Sequence, residues 1–341
     1  MIKKDEDLVL KIRERVKNVI IENNLIKTGE KLVLAVSGGP DSMCLLDVFY
    51  FLKDELKKEN NIDFSFVVAH VNHMIREESR QEKIYVEEAC KKRNIPFYYK
   101  EIDVPRISKK LHMSEEACAR KLRYEFFDEV INNIQADKIV VAHNMDDNVE
   151  TILLNIIRGC GLKGLTGMNY SFKNIIRPLI DIEKKDILEY NILQDLKPCF
   201  DKTNEMDIYV RNKIRLNLIP DLKNEYNPNI MESIIRMKHI LELDEDFLNN
   251  YTEKIVNNSI VENNNTVIKF DFSVILNEHE SIRRRYIRKL IELKNNSVDG
   301  VENIHILEIM RLLSNNITGK KYILGNKFTI EIVKKNIAII Y

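Results

Sequence analysis

Cysteine is scarce in this chain of 341 residues and carries no spacing signal. Cys44, Cys90, Cys118, Cys160 and Cys199 are scattered, odd in number and without a C-x-x-C pair. That argues against a zinc site, an iron–sulfur site and a disulfide framework. No apolar run approaches the roughly 18 residues of a membrane span, so no membrane partner is expected. The opening MIKKDEDLVLKIRERV is charged throughout and lacks the apolar core of a signal peptide. A reducing cytoplasm is the expected location. An excess of one charge is also missing, with 53 Lys+Arg against 53 Asp+Glu. This excludes a uniformly basic nucleic-acid coat but leaves room for a local basic patch. What remains is an ordinary globular composition, 44% hydrophobic and 31% charged, long enough for about two domains.

The first half alternates between two periods. Apolar runs at 31–36, 64–69, 96–104, 138–142 and 175–180 read as strands, and helical patterns separate them. Ser114 is placed to open one of these helices, with Glu115 and Glu116 in its first turn. Strands alternating with helices imply an α/β fold, a doubly wound parallel sheet covered on both faces. After Pro220 the pattern changes to helices at 229–257, 280–293 and 304–314 and short strands at 267–272, 321–324, 328–333 and 337–341. The expected division is a nucleotide-binding domain at 1–222 and a smaller C-terminal α+β domain at 223–341.

In open α/β sheets, ligands bind beyond the carboxyl ends of the strands. Three polar segments fall at such ends. Ser37-Gly38-Gly39-Pro40-Asp41-Ser42 follows the first strand. Its glycines let backbone approach a ligand, and the following helix start offers N–H groups to phosphate. It lacks the lysine of a Walker loop. Asp41 beside phosphate implies an intervening Mg²⁺. The second segment runs from His70 through Asn72, His73 and Arg76 to Ser79, and a plain polar loop is an equal reading. The third is Ala142-His143-Asn144-Met145-Asp146-Asp147-Asn148-Val149-Glu150-Thr151, where one of the acids is expected to cap a helix.

These residues resemble the PP-loop, or N-type ATP pyrophosphatase, family. Within it they are similar to the tRNA(Ile)-lysidine synthases. The resemblance spans roughly residues 30–220. It includes Ala119-Arg120-x-x-Arg123-Tyr124, Arg158-Gly159-Cys160-Gly161, Arg177-Pro178-Leu179, Asp201-Lys202-Thr203-Asn204 and Arg211-Asn212-x-x-Arg215. Many members carry a second histidine where this chain has Asn144, so Asn144 is left out of the catalytic set. The resemblance implies ATP-dependent ligation of L-lysine to the wobble cytidine of tRNA(Ile) with a CAU anticodon, through an adenylated tRNA. It implies catalysis by Asp41, His143, Asp147, Arg211 and Arg215. ATP is expected on Ser37, Gly38, Gly39, Pro40, Asp41, Ser42, His70, Arg158 and Gly161, and Mg²⁺ on Asp41 and Asp147. Arg177 and Arg215 read equally well as ordinary ion-pairing residues. A homodimer stays open as an assembly.

Four glycines within 159–167 suggest a loop that lets backbone approach a splayed base, against a plain flexible loop. Arg120 and Arg123, and the run Arg283, Arg284, Arg285, Arg288 and Lys289, are candidates for tRNA phosphates. A solvated helix face is the alternative for the second set. Rival readings are a PP-loop tRNA thiolase, which needs a sulfur relay that Cys160 supplies poorly, and a non-catalytic tRNA- or nucleotide-binding module.

Overall fold

The computed structural model describes residues 2–74, 79–199, 210–264 and 266–341. Ile75, Arg76, Asp201, Lys202, Thr203 and Asn204 of the expected motifs lie outside them. The chain forms two compact units, Met1–Lys238 and His239–Tyr341.

In the first unit the strands are β1 (Lys31–Ala35), β2 (Ser65–Asn72), β3 (Phe97–Glu101), β4 (Lys138–Val140), β5 (Ser171–Phe172) and β6 (Ile175–Ile176), in the order β3-β2-β1-β4-β6-β5. All neighbours pair parallel except β5 with β6. β1 is buried on both faces, and its alternation sorts its side chains into two layers. Leu32 and Leu34 join Phe49, Phe66 and Val68 on one side, whereas Val33 joins Phe126, Phe127 and Val130 on the other. A strand sandwiched in this way must read as a continuous apolar run, and KLVLAV does.

The helices are α1 (Ile2–Glu22), α2 (Pro40–Asn60), α3 (Ser79–Lys92), α4 (Val104–Leu111), α5 (Glu115–Ile134), α6 (Met145–Ile157), α7 (Leu162–Leu165) and α8 (Lys184–Leu193). A helix at 210–226, α9, contains two π-helical segments, Ile214–Leu218 and Leu222–Tyr226. Ser114 caps α5 as expected, accepting from the Ala117 amide at 3.3 Å. The strand expected over 175–180 is extended only at Ile175–Ile176, because the chain then turns through Arg177–Ile180. α8 has no counterpart in the sequence reading. It buries only Ile187, Tyr190 and Asn191, too few positions for a periodic signal.

The unit boundary falls inside α10 (Ile230–Ser259), beyond the composition change after Pro220. Met231, Ile234 and Ile235 of its first turns pack with Ile214 and Ile219 of α9 and Val149 and Ile152 of α6. The second unit holds the rest of α10, the strands β7 (Ile260–Asn263), β8 (Ile268–Asp271), β9 (Lys321–Leu324), β10 (Phe328–Lys334) and β11 (Ile337–Ile340), and the helices α11 (Glu280–Asn295) and α12 (Asn303–Asn315). Its sheet is antiparallel, in the order β7-β8-β11-β10-β9. No helix among the described residues is long and apolar enough to cross a membrane.

Candidate active site

The strand order reverses between β1 and β4, and a crevice opens there beyond their carboxyl ends. A cavity of about 470 Å³ fills it, lined by Ser37, Gly39, Asp41, His73, Arg123, His143 and Asp147 among others.

The loop after β1 is wound around one hydroxyl. Ser42 Oγ accepts from the amides of Ser37 and Gly38, at 3.1 and 3.2 Å, and donates to the Gly39 carbonyl at 2.9 Å. Gly38 takes φ +91°, a left-handed conformation that suits glycine. Pro40 then starts α2, whose first-turn amides have no partner within the helix.

Asp41 and Asp147 come from opposite sides of the switch point and are joined by Asn144. Asn144 caps α6, its Oδ1 accepting from the Asp147 amide at 3.0 Å. Its own amide donates back to Asp147 Oδ2 at 3.2 Å, and its Nδ2 donates to Asp41 Oδ1 at 3.0 Å. The capping role expected for an acid therefore falls to Asn144, with Asp147 completing the box. The other Asp41 oxygen, Oδ2, pairs with Lys184 Nζ at 2.6 Å.

One turn further along α6, Glu150 is buried at 1% exposure and needs compensation. Two arginines from α9 supply it. Arg211 Nε donates to Glu150 Oε2 at 2.8 Å, and Arg215 Nε to Oε1 at 2.5 Å. Arg211 also reaches Asp147 Oδ1 at 3.2 Å and Arg215 lies 3.5 Å from the same oxygen. Burial pushes the Asp147 carboxyl up to about 6; Arg211 opposes the shift and Glu150 reinforces it.

Burial, with Arg177 and Arg120 behind it, holds His143 down to about 3, so its ring is neutral near pH 7. Its Nδ1 accepts from Arg177 Nε at 3.3 Å, which leaves the proton on Nε2 as a donor. Arg177, from the turn after β6, is itself fixed on the Asn169 carbonyl at 3.0 Å.

Residues 8–222 match the model of the PP-loop domain. The tRNA(Ile)-lysidine synthase of Caldanaerobacter subterraneus subsp. tengcongensis is 38% identical over 322 residues, covering 94% of this chain and 67% of that protein. That of Clostridioides difficile is 41% identical over 314 residues, covering 91% and 66%. The chain belongs to the PP-loop family, among the tRNA(Ile)-lysidine synthases. It spans about two thirds of the length of these relatives. The U34-tRNA thiolase NcsA of Methanococcus maripaludis, solved with its 4Fe-4S cluster, matches 70% of this chain and 80% of its own with a TM-score of 0.56. At 18% identity that likeness shows the PP-loop fold alone.

Several residues expected in the PP-loop site sit elsewhere. His70 is buried beneath the loop, its Nδ1 donating to the Val36 carbonyl at 2.8 Å and its ring stacked on Tyr99. His73 takes the cavity position instead. Arg158 is the exposed C-cap of α6, roughly 17 Å along the helix from Asp147 at 1.5 Å per residue. Gly161 opens α7 beside it and faces open space. Two glycines of that loop answer to packing rather than to a base. A Cβ on Gly164 would lie 2.4 Å from Cys160 Cβ, and one on Gly167 would lie 2.4 Å from the buried Asn148 amide oxygen. Arg123 lines the cavity, whereas Arg120 stays exposed over the Tyr124 ring. Sequence reasoning missed Lys184 and the joining role of Asn144.

The basic run on α11 is largely committed within its own unit. Arg285 holds Glu245 by two bonds, at 2.9 and 2.7 Å, and Arg284 pairs with Glu280. Arg288 donates to the Val301 carbonyl at 3.3 Å, and Lys289 lies 3.4 Å from Glu292. Arg285 above all is held by side chains of its own unit. Replacing Arg285 with Ala takes two charge-assisted bonds from the buried Glu245, which keeps Asn249 at 3.2 Å, and should cost about 1.5–3 kcal/mol. Arg284→Ala breaks a half-exposed pair and should cost less than about 1 kcal/mol. Urea unfolding of the two variants measures the difference.

Proposed function

We propose that the protein ligates L-lysine to C2 of the wobble cytidine of tRNA(Ile) with a CAU anticodon, consuming ATP. The C2 carbonyl oxygen attacks the α-phosphorus and pyrophosphate leaves. The lysine ε-amine then attacks C2 and AMP leaves, giving lysidine, which reads AUA in place of AUG. The observation that carries this reading is the carboxylate pair Asp41–Asp147, from the N-termini of α2 and α6, joined through Asn144.

Transfer of this kind needs positioning and neutralised charge more than covalent chemistry. Mg²⁺ would supply Lewis-acid neutralisation of the phosphates, held by Asp41 and Asp147. The donor set fits: two hard carboxylates beside a phosphate cradle suit an ion that completes its shell with phosphate and water. The Nε2–H of neutral His143 and the Arg123 guanidinium are suited to a phosphate oxygen in the cavity. Asp147 and Glu150 are suited to the lysine amines, and Arg211 or Arg215 to its carboxylate. With its carboxyl raised to about 6, Asp147 is also a better proton acceptor than an ordinary aspartate. The C-terminal part, read from sequence as an accessory tRNA-binding domain over 223–341, would contact the tRNA body.

The direct experiment is nucleoside analysis of tRNA(Ile) after incubation with ATP, Mg²⁺ and lysine. Lysidine is expected with the wild-type protein and none with Asp41→Asn. Full product from Asp41→Asn would remove Asp41 from the metal role. A second expectation concerns pH. Asp147 must be ionised to bind a cation, so adenylation should fall as pH drops through about 6. Arg211 holds that pKa down, so Arg211→Gln should move the acid limb to higher pH. A limb that stays in place in Arg211→Gln would mean another group controls it.

A further inference from the structure

Among the described residues, Lys184 is the cation that stands on the phosphate-loop aspartate. Its Nζ lies 2.6 Å from Asp41 Oδ2, on the side of the carboxylate that Asn144 leaves open. The pair is only part-buried, with side chains 33% and 29% exposed. The Lys184 backbone is fixed, because its amide donates to Asp146 Oδ2 at 2.8 Å. The ammonium is thus the movable end of an anchored residue, on a flexible four-carbon stem.

We propose that Lys184 is a positioning residue that occupies the cation place on Asp41 before nucleotide binds and yields it to Mg²⁺. This rests on the ATP-using reading above. Mg²⁺ held by Asp41 would draw on the carboxylate that the ammonium contacts at 2.6 Å, and two cations on one carboxylate repel. They therefore compete for it. In the nucleotide-free protein Lys184 offsets the Asp41 charge and holds the carboxylate in its orientation toward Asn144. Once displaced, the ammonium remains within reach of the crevice mouth, where a departing pyrophosphate brings new negative charge. This gives the loop the lysine that its sequence lacks, delivered from α8.

Competition sets the sign of the test. Calorimetric titration of ATP into the full chain across a series of Mg²⁺ concentrations gives the Mg²⁺ midpoint for nucleotide binding. Removing the competing ammonium in Lys184→Met should lower that midpoint about tenfold, the loss of one charge-assisted contact. Lys184→Arg should stay near the wild type. Lys184→Gln serves as the second neutral variant and should behave like Lys184→Met. A purely structural pair would leave the midpoint unchanged or raise it. Either result in both neutral variants, with ATP still bound, overturns the inference and leaves the ATP-using reading standing. Absence of Mg²⁺-dependent ATP binding by the wild type overturns both.

Discussion

The site depends on one side chain that spans the crevice beyond the ends of β1 and β4. These two strands are paired, but the order reverses between them, and Asp41 and Asp147 follow them on separate helices. Asn144 joins the two carboxylates with both ends of its amide. The oxygen caps α6 through the Asp147 amide, and the nitrogen donates to Asp41. A histidine ring at this place would present a different donor geometry. Here a buried amide acts as acceptor and donor at once, which an imidazole could match only with its two ring nitrogens in fixed roles.

Glu150 extends the constraint outward. A carboxylate at 1% exposure is costly unless paired, and it draws Arg211 and Arg215 from α9. Lys184 pairs with Asp41 and the arginines with Asp147, while Asn144 joins the two like-charged aspartates. The pattern leaves the neutral His143 and the Arg123 guanidinium along the cavity wall. The preorganisation of this chain of charges is what a phosphoryl-type transfer requires.

The strand ends and their polar loops were legible because they are local. A short apolar run, a glycine pair and a cluster of acids lie within a few residues of each other, so Ser37–Ser42 and Ala142–Thr151 could be read directly. What escaped depends on contacts between distant residues. Lys184 meets Asp41 across 143 positions, on a helix with few buried residues. Glu245 neutralises Arg285 from another helix 40 positions away, so a run that looked free in sequence is not. Gly164 and Gly167 looked like room for backbone to approach a base, yet side chains of α6 and Cys160 lie where their Cβ atoms would be. Composition changes after Pro220 and the match to the PP-loop domain ends at residue 222, yet Met231, Ile234 and Ile235 still pack into the first unit, which runs on to Lys238.

Asn144 makes Asp41 and Asp147 act as one pair. Asn144→Ala removes the bridge and costs about 1 kcal/mol as a lost helix cap, which a folded chain of this size tolerates. Pyrophosphate release dependent on tRNA(Ile) and ATP, followed at saturating ATP over a range of Mg²⁺, is the measurement. A rate at least about a hundredfold lower is expected, as for a displaced catalytic geometry, with a higher Mg²⁺ requirement. A wild-type rate at a wild-type Mg²⁺ requirement would contradict the account, because the two carboxylates would then function without the side chain that joins them.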